Sequence, residues 1–202
     1  VNPTPINSRA DLIAFLKDPE QNKPGNVAII VPNSINLEKT DDGNEDSWGN
    51  YIKDLNCTLN MAGATFYTNH RLFSNINSTG SLINGTVCVG NAQVESALSP
   101  TNYGTIDRID VLPKTATTAV NNHSSGKATR AGLVVDNYGT ITSCKSELPV
   151  QGTADFDGFV GGIAAHSVYA SGASPKMPVI DGCTVNARVD GTLGASTSPK
   201  TK

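Results

Sequence analysis

The chain has 202 residues, of which 38% are hydrophobic and only 16% charged, and its formal net charge is −3 at pH 7. Few charges together with abundant Gly, Asn, Ser and Thr argue against a helical bundle and favour a β-rich protein with tight turns. No basic face is evident, so we expect no nucleic-acid partner. No apolar run approaches the roughly 20 residues of a spanning helix, so we expect no membrane span in this fragment.

The first 49 residues differ from the remainder and predict a short α/β segment. Ser8 begins a capping-box variant, and apolar residues follow it at helical spacing, which predicts a helix over about 9–17. Two short apolar runs predict strands over 27–31 and 34–37. Because the open end of a repeat protein needs a cover, we interpret residues 1–49 as an N-terminal cap.

The densest acidic stretch of the chain runs from Asp41 to Asp46. Its carboxylates could ligate Ca²⁺, but its glycine comes third, whereas an EF-hand loop needs glycine at position six. A solvated acidic loop is the alternative that this spacing favours.

From residue 50 onward, an apolar residue is followed by small or apolar residues at +3, +5 and often +7. This alternation predicts strands with one inward face. The units start at Ile52, Leu82, Ile106, Ile141 and Ile180, in steps of 30, 24, 35 and 39 residues. Constant strands joined by loops of variable length are typical of a parallel β-helix, which is a solenoid. We therefore predict an all-β fold with about five irregular coils over residues 50–202, and an antiparallel sandwich is the alternative.

One phrase occurs twice in this region, because Asn-Tyr-Gly-Thr-Ile at 102–106 returns at 137–141. Asn and Gly both tolerate positive φ, so we interpret the phrase as a corner of the coil followed by a strand start. At equivalent corners, Tyr103 and Tyr138 are predicted to stack on one another. Packing is favoured over ligand contact for these rings and for the other aromatic candidates, which are Trp48, Phe66, Tyr67 and Tyr169.

The chain has four cysteines, at 57, 88, 144 and 183, and none forms a CxxC pair, so structural zinc is not expected. Cys144 and Cys183 occupy the same inward position in consecutive units. Stacking would allow a disulfide between them, but buried thiols are the favoured alternative because Cys is a common small core residue.

Because many parallel β-helices are polysaccharide lyases or hydrolases, the carboxylates are candidates for a catalytic pair. Asp107 and Asp181 fall in corresponding outward columns two coils apart, or roughly 10 Å, beyond the roughly 6.5–9.5 Å of an inverting glycosidase. Solvated or turn roles are favoured for these and for the remaining candidates, which are Asp110, Asp155 and Asp157. The three histidines, at 70, 123 and 166, show no ligand spacing. We therefore expect no catalytic, metal or cofactor site.

Residues 131–144, which read Ala-Gly-Leu-Val-Val-Asp-Asn-Tyr-Gly-Thr-Ile-Thr-Ser-Cys, resemble the GLUG repeat of bacterial cell-surface proteins. That motif reads roughly Gly-Gly-Leu-Val-Gly, then Asn and Gly, then Ile-x-x-Cys. Further copies are identified at 161–165 resuming at 180–183, at 98–109, and at 70–82. The resemblance implies a right-handed parallel β-helix, extracellular display, and adhesion or glycan contact. It carries no agreed catalytic residues.

These observations predict a non-catalytic module of the bacterial cell surface that binds a glycan or a host or cell-surface protein through its outer faces and loops. The alternatives are a carbohydrate-active β-helix enzyme and a purely structural spacer. Because the chain begins abruptly at Val1 and ends in a short polar run, we expect it to be excised from a longer precursor.

Overall fold

The computed structural model describes residues 2–90, 95–115, 120–121, 130–154, 159–169 and 177–193. Over these residues the protein is mostly β-strand, with one α-helix, α1 (Arg9–Lys17), and one 3₁₀ turn at Trp48–Asn50. Every ladder between the described strands is parallel. The predicted all-β class is confirmed, and parallel pairing excludes the antiparallel sandwich for this part of the chain.

The described strands are short and follow one another along the whole chain. In chain order they are β1 (Thr4–Ile6), β2 (Val27–Ile30), β3 (Ser34–Asn36), β4 (Thr58–Asn60), β5 (Thr65–Thr68), β6 (Asn75–Ile76), β7 (Ser81–Val89), β8 (Ser99–Asn102), β9 (Thr105–Pro113), β10 (Val120–Asn121), β11 (Arg130–Ala131), β12 (Val134–Asn137), β13 (Thr140–Thr142), β14 (Lys145–Ser146), β15 (Val150–Ala154), β16 (Val160–Gly161), β17 (Ala164–Ser167), β18 (Val179–Asp181), β19 (Thr184–Val185) and β20 (Val189–Leu193).

These strands form four sheets. The largest has eleven strands, with the main order β1-β2-β4-β7-β9-β13-β18, and β3, β5, β14 and β19 pair beside that path. The others have the orders β6-β8-β12-β17, β10-β15-β20 and β11-β16. Neighbours in each sheet are far apart in sequence, so the chain visits the sheets in turn and returns to each one.

The predicted alignment of units is confirmed in the large sheet for four of the five starts. Leu82 pairs with Ile106, Ile106 with Ile141, and Ile141 with Ile180. The first three of these side chains are fully buried, so they form a continuous apolar column. We refer to it as the first inward column.

The unit predicted to start at Ile52 is wrong in register. Leu59 pairs with Leu82 and Ala28 pairs with Leu59, whereas Ile52 lies in no strand. The apolar pattern gave the wrong register because Ile52, Leu55 and Leu59 have the +3 and +7 spacing of a unit but do not lie in one strand. The ladder continues through β2 to β1, so strands on both sides of the predicted boundary at residue 49 belong to one sheet. The boundary itself stays a prediction.

The N-terminal elements form as predicted. Helix α1 spans Arg9–Lys17, and the Ser8 hydroxyl accepts a hydrogen bond from the Asp11 backbone N–H at 3.1 Å. The predicted strands over 27–31 and 34–37 are β2 and β3.

The acidic stretch at 41–46 contacts the N-terminus of helix α1. The Asp41 carboxylate accepts hydrogen bonds from the backbone N–H groups of Arg9 and Ala10, both at 3.1 Å. The Arg9 guanidinium is buried and lies 3.0 Å from the Asp46 carboxylate. Two of the acidic side chains therefore serve the first turn of α1, where negative charge is favourable.

The predicted explanation of the corner by positive φ is wrong. Among the described residues, neither Asn102 nor Gly104 has positive φ, and the same holds for Asn137 and Gly139. Glycine is required for space instead, because a Cβ on Gly104 would lie 2.1 Å from the carbonyl oxygen of the neighbouring turn.

Positive φ occurs at a different column, two residues after each member of the first inward column. Asn84, Arg108, Ser143 and Gly182 have φ of 58°, 53°, 52° and 60°. Asn84 and Arg108 lie within β7 and β9, whereas Ser143 separates β13 from β14 and Gly182 separates β18 from β19. All four occupy the same position along successive coils, so the bend is set by position rather than by residue type.

Cys144 and Cys183 lie at the same inward position, as predicted, and both are free thiols. Cys144 is almost fully buried, and its thiol lies 3.1 Å from the Thr142 carbonyl oxygen. Burial raises the pKa of the Cys144 thiol to about 12, so this group stays protonated at neutral pH.

Candidate functional site

The four-stranded sheet β6-β8-β12-β17 carries an outward cluster of aromatic and ionisable side chains. In its register Thr101 pairs with Asp136, and Asp136 pairs with His166. The next residue of β8 and of β12 is an inward asparagine, and Asn102 pairs with Asn137. Tyrosine follows each asparagine at the corner.

The two asparagines form a buried ladder beneath the corner. Asn102 Nδ2 donates to Asn137 Oδ1 at 2.9 Å, and both side chains are fully buried. Each Oδ1 also accepts the backbone N–H two residues on, at 3.1 Å from Gly104 and 3.2 Å from Gly139. These Asx-type bonds close the corner and fix the backbone of the tyrosine between them.

Tyr103 and Tyr138 stack as predicted. Their ring centroids are 4.9 Å apart and their planes differ by 15°. Tyr103 is 42% exposed and Tyr138 is half-buried. Burial and the nearby carboxylate of Asp136 raise the pKa of the Tyr138 hydroxyl, so this group stays a neutral hydrogen-bonding partner near neutral pH.

An acid–imidazole pair lies beside the tyrosines. Asp136 Oδ1 is 2.6 Å from His166 Nδ1, and the two side chains are 34% and 30% exposed. Phe159 packs edge-on against the His166 ring with centroids 4.1 Å apart, and Phe159 is 52% exposed. We call the five side chains Tyr103, Asp136, Tyr138, Phe159 and His166 the tyrosine face.

The tyrosine face combines apolar ring surface with polar groups held in fixed orientation. Aromatic rings pack against the apolar faces of flat ligands, while a carboxylate and an imidazole accept and donate hydrogen bonds to hydroxyl groups. A few placed polar groups beside aromatic surface is the usual composition of a small-ligand site. The arrangement can therefore hold a polyhydroxylated ligand.

Of the predicted carboxylate candidates, Asp107, Asp110 and Asp181 lie on the eleven-stranded sheet rather than at the tyrosine face. Thr142 lies in register between Asp107 and Asp181, which places the two carboxylates two strand spacings apart, or roughly 10 Å. Asp107 accepts from the Thr142 hydroxyl at 2.8 Å and from Arg108 Nε at 2.7 Å. Asp110 pairs across the sheet with Lys145. Asp155 and Asp157 lie outside the described residues.

The two histidines within the described residues, His70 and His166, have different partners. His70 contacts the Ser47 hydroxyl at 2.8 Å and lies 4.0 Å from Glu38, whereas His166 belongs to the tyrosine face and His123 lies outside the described residues. In the described part of the chain, no group of three or more His, Cys, Asp or Glu side chains is placed to hold a metal ion.

Of the other aromatic candidates, Trp48 and Phe66 are buried, while Tyr67 and Tyr169 are 36% and 52% exposed. The Asp136–His166 pair was not predicted. A signal for it existed, because the GLUG-like copies at 131–135 and 161–165 are offset by 30 residues, and the same offset carries Asp136 onto His166.

The chain matches none of the family models, curated proteins or solved structures with which it was compared. No helix among the described residues is both long enough and apolar enough to cross a membrane.

Proposed function

We propose that this chain is a right-handed parallel β-helix of the GLUG kind, displayed on the bacterial cell surface, which binds a glycan through the tyrosine face without catalysing a reaction. The parallel ladders support the coil, because the first inward column recurs at Leu82, Ile106, Ile141 and Ile180 in one register. The handedness and the surface display rest on the GLUG resemblance.

The single observation that carries glycan binding is the exposed Tyr103–Tyr138 stack beside the Asp136–His166 pair. Stacked rings alone are explained by packing along the coil axis. The Asp136–His166 pair is different, because about a third of each side chain is exposed to solvent. The pair is not needed to close the corner, since the buried asparagines already do so. Its exposed oxygen and nitrogen atoms are free to meet hydroxyl groups.

The chemistry of the tyrosine face favours a neutral glycan. Asp136 would repel the carboxylates of an acidic polysaccharide, and like charges at close range are costly. A pyranose presents axial C–H groups to a tyrosine ring and equatorial hydroxyl groups to the flanking pair. We therefore infer short neutral oligosaccharides as the ligand class.

A glycan array followed by calorimetric titration of the hits tests this proposal. Tyr103→Ala and His166→Ala are each expected to weaken binding of a neutral oligosaccharide by about tenfold or more, since each removes one ligand-contacting group. Tyr67→Ala is the matched control, because Tyr67 is a similarly exposed tyrosine on the eleven-stranded sheet. Equal losses in all three variants would contradict binding at the tyrosine face.

Two further outcomes would contradict the proposal and favour one of the alternative functions. A screen of neutral and acidic glycans and surface proteins with no hit would reduce the chain to a structural spacer. Release of reducing or unsaturated ends from a polysaccharide, lost in Asp107→Asn, would make it a carbohydrate-active enzyme.

A further inference from the structure

The tyrosine face continues along the stack, toward the N-terminal coils, into two columns of outward side chains. Asn75 of β6 pairs with Thr101, and Ile76 forms a parallel bridge with Leu55 in the coil before it. The residues on either side of these buried positions are half-buried or exposed. One column, which we call the acid column, consists of Asp54, Asn75, Thr101, Asp136 and His166, and the other, the corner column, consists of Asn56, Asn77, Tyr103, Tyr138 and Val168.

The corner column keeps the same backbone hydrogen bond in successive coils. The N–H of Asn77 donates to the Leu55 carbonyl oxygen at 3.0 Å. The N–H groups of Tyr103, Tyr138 and Val168 each donate to the buried residue of the coil before, at 2.8 Å. Neighbouring members are therefore one strand spacing apart, and four steps of about 4.8 Å give each column a length of about 19 Å.

The asparagines at the N-terminal end of the columns are held in place by one another and by a carboxylate. Asn77 Nδ2 donates to Asn56 Oδ1 at 2.6 Å, and Asn75 Nδ2 donates to Asp54 Oδ1 at 2.9 Å. Within the described residues, Asn77 Oδ1 and Asn56 Nδ2 have no hydrogen-bond partner. An acceptor and a donor are thus fixed on the surface, and both can bond to hydroxyl groups.

A cavity of about 420 Å³ adjoins this end of the columns. Its lining includes Asn22, Lys53 and Ser74 together with Asp54 and Asn56. The last two residues belong to the acid and corner columns, so the cavity is continuous with them. Its volume lies within the roughly 300–1,000 Å³ of small-ligand sites. Aromatic ring surface therefore lies at one end of the columns and a concave polar surface at the other.

We propose that the tyrosine face is one end of an elongated site, which binds a linear neutral glycan along the stack and holds the far end of that glycan in the cavity beside Asp54 and Asn56. This inference rests on the proposed function. A pyranose ring is about as long as one strand spacing, so a column of this length matches about four sugar residues. Asp54 and Asp136 lie in the same column and would both repel an acidic polysaccharide.

Calorimetric titration of the full 202-residue chain with neutral β-1,4-linked oligosaccharides of glucose, mannose and N-acetylglucosamine tests the proposal. Each series has members of two, four and six sugar residues. For at least one series, the wild type should bind the tetrasaccharide about tenfold or more tightly than the disaccharide, since the longer chain also reaches the asparagines. The hexasaccharide should add little, because the columns are then already covered. Asn77→Ala and Asn56→Ala should each lower the tetrasaccharide-to-disaccharide ratio of affinities by about tenfold.

Asn36→Ala is the matched control, because Asn36 is an exposed asparagine of β3 on the eleven-stranded sheet, and its ratio should equal that of the wild type. Two asparagine variants are used because a misfolded variant would bind neither length. Equal wild-type affinity at every length, with binding still lost in Tyr103→Ala, would overturn the elongated site and leave the proposed function standing. Wild-type ratios in both Asn77→Ala and Asn56→Ala would overturn it in the same way. A chain that binds no member of the three series would contradict the proposed function and this inference together.

Discussion

Replacing Asn137 by alanine should destabilise the protein far more than its single polar side chain suggests. The fully buried Asn137 Oδ1 accepts from Asn102 Nδ2 at 2.9 Å and from the Gly139 N–H at 3.2 Å. Its Nδ2 also donates to the Val179 carbonyl oxygen at 3.3 Å. Alanine would leave the Gly139 N–H without an acceptor and would leave Asn102 Nδ2 with only the Thr140 carbonyl oxygen at 3.5 Å. Each lost buried bond costs about 1–3 kcal/mol, so we expect a loss of about 3 kcal/mol in the free energy of unfolding.

Urea unfolding followed by far-UV circular dichroism and by the fluorescence of Trp48 measures this loss. A change of about 3 kcal/mol is a large part of the roughly 5–15 kcal/mol total of a typical domain, so the midpoint should move clearly. Asn75→Ala is the control, because Asn75 donates to Asp54 at 2.9 Å on the half-buried outer surface, where water can replace the bond. A loss below about 1 kcal/mol, or one equal to that of the control, would refute the role assigned to the asparagine ladder.

Three further changes probe the coil. Ser143→Gly should stabilise the protein by up to about 1 kcal/mol, because glycine adopts the left-handed backbone of this position without strain. Gly182→Ala should cost about 1 kcal/mol for the converse reason, since its Cβ would meet its nearest neighbours only at 3.7 Å and no clash contributes. Urea unfolding measures both changes. Gly104→Ala should cost about 2 kcal/mol or more in thermal unfolding, because the carbonyl oxygen 2.1 Å from its Cβ belongs to backbone. Burial raises the pKa of both Cys57 and Cys144 to about 12 from 9.0. The contribution of these two thiols to the free energy of unfolding should therefore be constant below pH 9 and fall as pH rises from there towards 12, because the thiols ionise first in the unfolded chain. A urea midpoint that stays flat between pH 9 and 12 would contradict this.

The periodic part of the fold could be predicted from the sequence because the inward residues are large and apolar. Ile106 and Ile141 each end the repeated Asn-Tyr-Gly-Thr-Ile phrase, and both are found stacked in register with Ile180. The same rule failed at Ile52, where apolar residues at unit spacing belong to a bend and to the start of the next strand. The spacing of apolar residues alone does not distinguish a strand from apolar residues that have the same spacing by chance.

Other features could not be predicted because their cause lies in the neighbouring coil. Arg108 and Ser143 adopt positive φ although neither residue type favours it, since the bend is set by the stack above and below. The Asp136–His166 pair needed only the GLUG-like alignment to be extended by a few positions. The exposure of this pair and the contact of His166 with Phe159, however, depend on how neighbouring coils pack together.

The uneven intervals between stacked positions have a practical consequence. Leu82 to Ile106 is 24 residues and Ile141 to Ile180 is 39, yet both pairs meet in the same column. The register of the stacked strands therefore does not depend on the number of residues in the loops between them. The sequence and length of the segment that joins β17 to β18 can therefore vary in evolution without compensating changes in the core. For the same reason, this segment is a suitable place to insert a foreign peptide.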